Sequence, residues 1–144
     1  MRVGFVGWRG MVGSVLLDRM RAEGDFSGLD ARFFSTSSPG GTGPDVGSGP
    51  TVLFDAHDIK ALSCEDVLIT CQGGDYTRQI YPQLRRAGWS GVWIDAASAL
   101  RMEPEATLVL DPVNGSAIRD AMAAGCKTFV GANCTVSLLL LGLH

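Results

Sequence analysis

A chain of 144 residues with 46% hydrophobic content can bury a substantial core, and its length suits one compact domain better than two. A net charge of -3, with the basic residues scattered along the chain, leaves no footprint for a phosphate backbone and excludes nucleic acid as a partner. The apolar opening is broken by Gly4 and Gly7 and ends at Arg9, too short for a secretion signal, and the later apolar run 136–143 is far below the roughly 18 residues that cross a bilayer, so no membrane partner and a cytoplasmic location are expected.

Residues 2–7 read as a short buried strand rich in Val and Phe. A helical pattern follows, with Val12, Val15, Leu16 and Met20 predicted to share its apolar face. Between the two lies Gly7-Trp8-Arg9-Gly10-Met11-Val12-Gly13, a G-x-x-G-x-x-G arrangement at a strand-to-helix turn. Glycine there lets the backbone approach a pyrophosphate, whose charge is met by free N–H groups at the helix start. The plain alternative is a tight turn with no ligand.

A second short apolar run covers 32–35, and 37–50 is so rich in Gly, Pro and Ser that it must be loop. Its length points to a mobile ligand flap or a variable surface loop, and the residues do not choose between them. Where NAD-binding domains end the second strand on an Asp or Glu for the ribose 2′-hydroxyl, this chain has Ser35, Thr36, Ser37 and Ser38. No carboxylate repels a 2′-phosphate, hydroxyls can donate to one, and Arg9 can supply positive charge. NADP is therefore favoured over NAD; otherwise Arg9 is a solvated surface arginine.

Strands are predicted at 51–54, 66–71, 92–95, 107–110 and 127–130. Helices are predicted at 76–87, with Asp75 as N-cap, Gly88 as stop and Pro82 as a bend, and at 114–124, ending at Gly125. Nearly all-apolar strands alternating with helices imply an α/β, Rossmann-like, doubly wound and mostly parallel sheet with helices on both faces. Ligands bind such sheets outside the carboxyl ends of the strands. Gln72, in Thr70-Cys71-Gln72-Gly73-Gly74-Asp75, lies on that edge and is a candidate cofactor contact, unless it merely caps the strand.

The cysteines are Cys64, Cys71, Cys126 and Cys134, with no C-x-x-C pair and only His57 and His144 as histidines, so reduced thiols and no metal site are expected. Cys64, Cys71 and Cys126 sit in or beside strand-like segments and read as inert core. Cys134 differs, because Asn133 is a suitable N-cap and Cys134 then falls in the first turn of a helix. Unpaired N–H groups there stabilise a thiolate and activate the sulfur. For an isolated cysteine a small buried hydrophobe is the duller reading. A helix-start cysteine on the ligand edge of a nicotinamide-binding sheet favours aldehyde or acyl chemistry, in which the thiolate forms a thioester or thiohemiacetal.

The blocks VGFVGWRGMVGSVL, FFSTS, TCQGGDYT, WIDAASALRM, LDPVN and GANCTVSL together closely resemble the N-terminal part of bacterial aspartate-semialdehyde dehydrogenases, over essentially the whole chain. The resemblance implies an oxidoreductase that converts L-aspartyl 4-phosphate and NADPH to aspartate 4-semialdehyde and phosphate, feeding lysine, diaminopimelate, methionine and threonine synthesis. It makes Cys134 the acyl-thioester nucleophile, Arg9, Gly10, Met11, Val12, Thr36, Ser37 and Gln72 the NADP contacts, and Arg101 the holder of the substrate phosphate. A guanidinium fork suits that phosphate, although an exposed loop arginine is the bland reading.

The resemblance also divides the chain into an NADP-binding domain at 1–133 and, at 134–144, the first helix of a catalytic and dimerisation domain that continues beyond it. The acid/base histidine would lie in that continuation, since neither His57 nor His144 matches it, and a homodimer is implied for the full-length enzyme. This chain alone is accordingly expected to show negligible turnover. Two rivals stay open: another thiol-dependent, NADP-linked acyl-phosphate reductase, such as N-acetyl-glutamyl-phosphate reductase or glyceraldehyde-3-phosphate dehydrogenase, and an idle NADP-binding module.

Overall fold

A computed structural model describes residues 1–143; His144 lies outside the described residues. The strands are β1 (Arg2–Val6), β2 (Asp30–Ser35), β3 (Phe54–Asp55), β4 (Val67–Thr70), β5 (Val92–Asp95), β6 (Thr107–Val109) and β7 (Thr128–Gly131). They form one seven-stranded sheet in the order β3-β2-β1-β4-β5-β7-β6, and every strand pair in it is parallel. The helices are α1 (Met11–Glu23), α2 (Ile59–Leu62), α3 (Gly74–Arg86), α4 (Asp111–Ala123) and α5 (Cys134–Leu143). This is the Rossmann-like, doubly wound α/β architecture.

Two apolar layers flank the sheet. One gathers Val6, Phe34, Leu68 and Trp93 from the strands against Tyr76, Ile80 and Leu84 of α3. The other gathers Val3, Phe5 and Phe33 against Leu17 of α1, with Phe26 and Leu53 closing its ends. Alternate residues of the same strands supply the two layers, as the period of two requires. Right-handed crossovers then put α1 and α4, which return leftward in the strand order, on one face and α3 on the other.

The structure corrects several sequence expectations. Val12 and Val15 of α1 face solvent, whereas Gly13 and Leu17 are buried. The cause is close approach: a Cβ at Gly13 would fall on the Gly7 carbonyl oxygen and the Trp8 backbone, so the contacting face must include the residue with no side chain. Helix α3 begins at Gly74 with Gly73 as N-cap, and Asp75 instead pairs with Arg78 at 2.6 Å. Helix α4 starts three residues before the expected position, on Asp111 and Pro112, with a non-helical Asn114 whose side chain bonds Leu110 N–H and Leu108 C=O.

Of the expected strand 51–54 only Phe54 joins the sheet, in the two-residue strand Phe54–Asp55. The residues before it fold back on the Gly-rich segment, with Gly40 N–H bonded to Leu53 C=O, Leu53 N–H to Gly41 C=O and Gly43 N–H to Thr51 C=O. Segment 37–50 is therefore loop, as expected, but it is pinned at one end as a closed hairpin. It is pinned again at Gly49, whose missing side chain admits the backbone of Ala31.

The cysteines expected to be core are not buried. Cys64 is exposed just past the short helix α2, with its Sγ turned to the Lys60 carbonyl, and Cys71 and Cys126 are half-buried. All four cysteines are free, and no helix among the described residues is long and apolar enough to cross a membrane.

Candidate functional site

The carboxyl edge of the sheet carries the glycine turn between β1 and α1. Gly7 adopts a φ of 74°, which glycine alone accepts readily, and a Cβ there would strike the Cys71–Gln72 backbone. Gly10 is the N-cap of α1 and has no side-chain capping bond, and no acidic residue lies in the first turn. The first-turn N–H groups of α1 are thus left for an anion. A Cβ built at Gly10 meets only the Gly7 carbonyl at 3.5 Å, so the ligand side of the turn is open.

Beside it, the end of β2 is shaped by one buried hydroxyl. Ser35 Oγ accepts from the Ser37 and Ser38 amides at 3.3 and 3.1 Å and lies 3.1 Å from Ser38 Oγ. Arg9 Nη1 donates to that Ser38 Oγ at 2.9 Å, and its guanidinium lies 4.6 Å over the Trp8 ring. Trp8 is itself fixed by a 3.1 Å bond from Nε1 to the Phe34 carbonyl. Arginine, hydroxyls and helix start share one cleft of about 360 Å³, closed on its far wall by Cys71 and Gln72 after β4. No carboxylate lines it.

The second half of the edge follows β5 and β7. Asn133 Oδ1 accepts from Val136 N–H at 3.1 Å, which is the capping bond expected of it, and Cys134 opens α5 with an exposed side chain. Arg101, on the turn after β5, donates from Nε to the Gly131 carbonyl at 2.9 Å and from Nη2 to the Ala132 carbonyl at 3.4 Å. Its guanidinium is thereby tied to the backbone just before the cysteine.

Of the residues singled out from sequence, Arg9, Gly10, Thr36, Ser37 and Gln72 line the one cleft. Met11 and Val12 belong to the exposed first turn of α1 and do not line it. Arg101 and Cys134 form a separate group, since β1 and β7 are separated by β4 and β5. Three inter-strand steps set a span of about 14 Å between the two halves. The two residues sequence reasoning passed over are Trp8, which floors Arg9, and Asp95, the buried last residue of β5. Asp95 lay in plain view at the end of an apolar strand, where a buried carboxylate needs several donors.

A glycine turn at the first crossover of a doubly wound parallel sheet, opening on a cleft at the carboxyl edge, defines a dinucleotide-binding domain. Residues 2–121 match the family described as semialdehyde dehydrogenase, NAD binding domain, and the chain belongs to that family of oxidoreductases. Aspartate semialdehyde dehydrogenase from Francisella tularensis superposes with a TM-score of 0.90 at 50% sequence identity, over 96% of this chain and 38% of that one. Aspartate semialdehyde dehydrogenase II from Vibrio cholerae, at 24% identity, superposes with a TM-score of 0.77 over 99% of this chain and 44% of that one. The Candida albicans enzyme, solved with NADP, gives 0.65 at 15% identity over 94% of this chain and 43% of that one. The last two show the shared fold, and the chain spans less than half the length of all three.

Proposed function

We propose that this chain is the nucleotide-binding and nucleophile-bearing part of an NADP-dependent aspartate-semialdehyde dehydrogenase, with the nucleotide domain at 1–133 and α5 opening the catalytic domain. The observation that carries the reading is the pairing of two sites on one sheet edge. One is a carboxylate-free cleft in which Arg9 and the Ser35–Ser38 turn meet an uncapped helix start; the other is an exposed helix-start cysteine with an arginine tied in front of it.

The cleft fits the dinucleotide on its own geometry. Gly7 and Gly13 let the turn close without side chains, and the first-turn amides of α1 take the pyrophosphate. Arg9, with Ser37 and Thr36 beside it, takes a 2′-phosphate, because a guanidinium fork and hydroxyl donors match phosphate oxygens. NADPH supplies the hydride that reduces the acyl group.

Cys134 is the nucleophile: its sulfur displaces phosphate from the 4-position of L-aspartyl phosphate to form a thioester and so holds the acyl group for reduction. The overall exchange is L-aspartyl 4-phosphate, NADPH and a proton giving aspartate 4-semialdehyde, NADP+ and phosphate. Arg101 meets the leaving phosphate. Two of its five N–H groups are held by backbone carbonyls, which leaves three for that task. A cytoplasmic homodimer, serving amino-acid biosynthesis, completes the reading for the full-length enzyme.

Calorimetric titration of the chain with NADP and NAD tests the cofactor. NADP is expected to bind more tightly, and Arg9→Ala to erase most of the difference while leaving NAD binding little changed. Equal affinities in the unaltered chain refute the NADP assignment. Iodoacetamide labelling, resolved by peptide mass spectrometry, is expected to favour Cys134 over Cys64, which is also exposed. Cofactor binding without that selectivity supports the idle module instead. General acid/base help is typically worth 10²–10⁴-fold in rate, and the one histidine among the described residues, His57, follows β3, five strands away from the β7 that leads to Cys134. Residues 1–144 alone should therefore not oxidise aspartate semialdehyde with NADP and phosphate at a rate comparable to a complete enzyme.

A further inference from the structure

Between the two halves of the edge, β5 ends in a carboxylate that is 1% exposed. Register places Asp95 beside Thr70 of β4 on one side and beside Val130 of β7 on the other. The cofactor wall (Cys71 and Gln72) thus follows one neighbour, and the nucleophile loop (Gly131 to Cys134) follows the other. Asp95 Oδ2 accepts from Thr77 Oγ1 at 2.6 Å and from Trp93 Nε1 at 3.3 Å, and Oδ1 accepts from Ala97 N–H at 2.7 Å.

These bonds do distinct jobs. Thr77 stands in the first turn of α3, whose N-cap Gly73 adjoins Gln72, so the Thr77 bond holds the helix that follows the cofactor wall. The Ala97 bond turns the chain sharply as it leaves β5 and sets the direction of the segment leading to Arg101. Arg101 then reaches the Gly131 and Ala132 carbonyls, closing a path from α3 through Asp95 to the loop that presents Cys134. Leu100, on the same turn, packs against the α3-side core and keeps the segment from swinging free.

A buried carboxyl group is retained at such a position only if it is satisfied, and here three donors converge on its two oxygens. Ordinary packing at a strand end would be met by an apolar residue at lower cost. We propose that Asp95 is a positioning residue: it fixes Arg101 against the carbonyls that precede Cys134, and fixes that turn relative to α3 on the cofactor side. The proposal rests on the reading of Cys134 as nucleophile and Arg101 as its phosphate partner, but its geometric part can be measured apart from that reading.

The test uses the 144-residue chain with Asp95→Asn, Thr77→Val and Thr77→Ser. Thr77→Val keeps the side-chain shape and removes only the O–H donor, whereas Thr77→Ser retains that donor. The first readout is the Arg101 Nε–H resonance in a ¹⁵N correlation spectrum, which is slow to exchange while bonded to Gly131. Asp95→Asn and Thr77→Val are expected to shift it and speed its exchange, and Thr77→Ser to restore it. The second readout is the iodoacetamide rate at Cys134, expected to fall several-fold in the same two variants, with Cys64 on the opposite edge of the sheet as an internal standard that does not move.

An Arg101 resonance unchanged in folded Thr77→Val and Asp95→Asn chains overturns the proposal. So does a loss that Thr77→Ser fails to rescue, or one in which Cys64 changes in step with Cys134, since either reports general loosening. If the Arg101 signal responds as expected while Cys134 is no more reactive than Cys64 in the unaltered chain, the positioning role stands and the nucleophile assignment falls.

Discussion

Glu65 shows what a single buried group contributes. It is 3% exposed, neither of its carboxylate oxygens has a hydrogen-bond partner, and the one cation in ion-pair range is the Arg32 guanidinium, whose Nη1 lies 3.7 Å away. Burial pushes its carboxyl up to about 7, against the pull of Arg32 and of the more distant Arg2. The native state therefore holds this proton more tightly than the unfolded chain, so the stability it contributes is full below the ordinary carboxyl value and is lost as pH rises toward 7. The shift corresponds to roughly 3 kcal/mol across that window. Denaturant unfolding at pH 5, 6, 7 and 8 should show the decline, and Glu65→Gln should flatten it; equal slopes in both chains would count against this account.

At the same scale, Gly13 is the residue the turn cannot exchange. A methyl there meets the Gly7 carbonyl and the Trp8 backbone, neither of which can rotate aside. Overpacking of this kind costs about 1–3 kcal/mol. Gly13→Ala should lower the midpoint of unfolding and weaken NADP binding together, because the same displacement lifts α1 off the turn; a variant that loses stability but titrates with unchanged affinity would separate the two effects.

Among the elements, α5 depends on its first residues more than on its packing. None of its side chains is buried, and Asn133 supplies the one capping bond at its start. Removing an N-cap of this type costs about 1 kcal/mol of helix stability. Asn133→Ala is therefore expected to raise amide exchange through α5 while leaving β7 protected, and equal protection in both chains would show that the cap is dispensable.

Most strands and their parallel sense were readable from sequence, because apolar runs alternate with helical periods along the chain. The turn residues were readable as well, since Gly7 and Gly10 can be recognised by what they lack. Other features resisted for physical reasons. The buried face of α1 runs through Gly13, which carries no hydrophobic signal, while Val12 and Val15 carry it and face solvent. The start of α3 was misread because Asp75, a good cap by type, spends its carboxylate on Arg78. The hairpin closing the Gly-rich loop is made of backbone bonds, which leave no trace in side-chain pattern. Asp95 looked like any strand-end acid until its three donors were located around it.

At the scale of the molecule, much of the uncovered apolar surface among the described residues lies on the outer side of α1 and on α5. Met11 is 85% exposed, Leu138 73% and Leu143 76%. Contiguous apolar surface of this sort promotes association. Light scattering over a range of concentrations should show mass rising above that of one chain, and Leu138→Glu with Leu139→Glu should suppress the rise. A single-chain mass throughout would remove the expectation.

The interposition of β4 and β5 between the glycine turn and the cysteine helix has a consequence for divergence. The gap from the glycine turn to the start of the cysteine helix is gauged by backbone ladders, whose pitch does not depend on which side chains the strands carry. Substitution can rewrite both walls of such a crevice without stretching it, as the relatives sharing 15–24% of their residues with this chain illustrate by keeping its outline. Only gain, loss or slippage of a strand would move the glycine turn away from the cysteine helix.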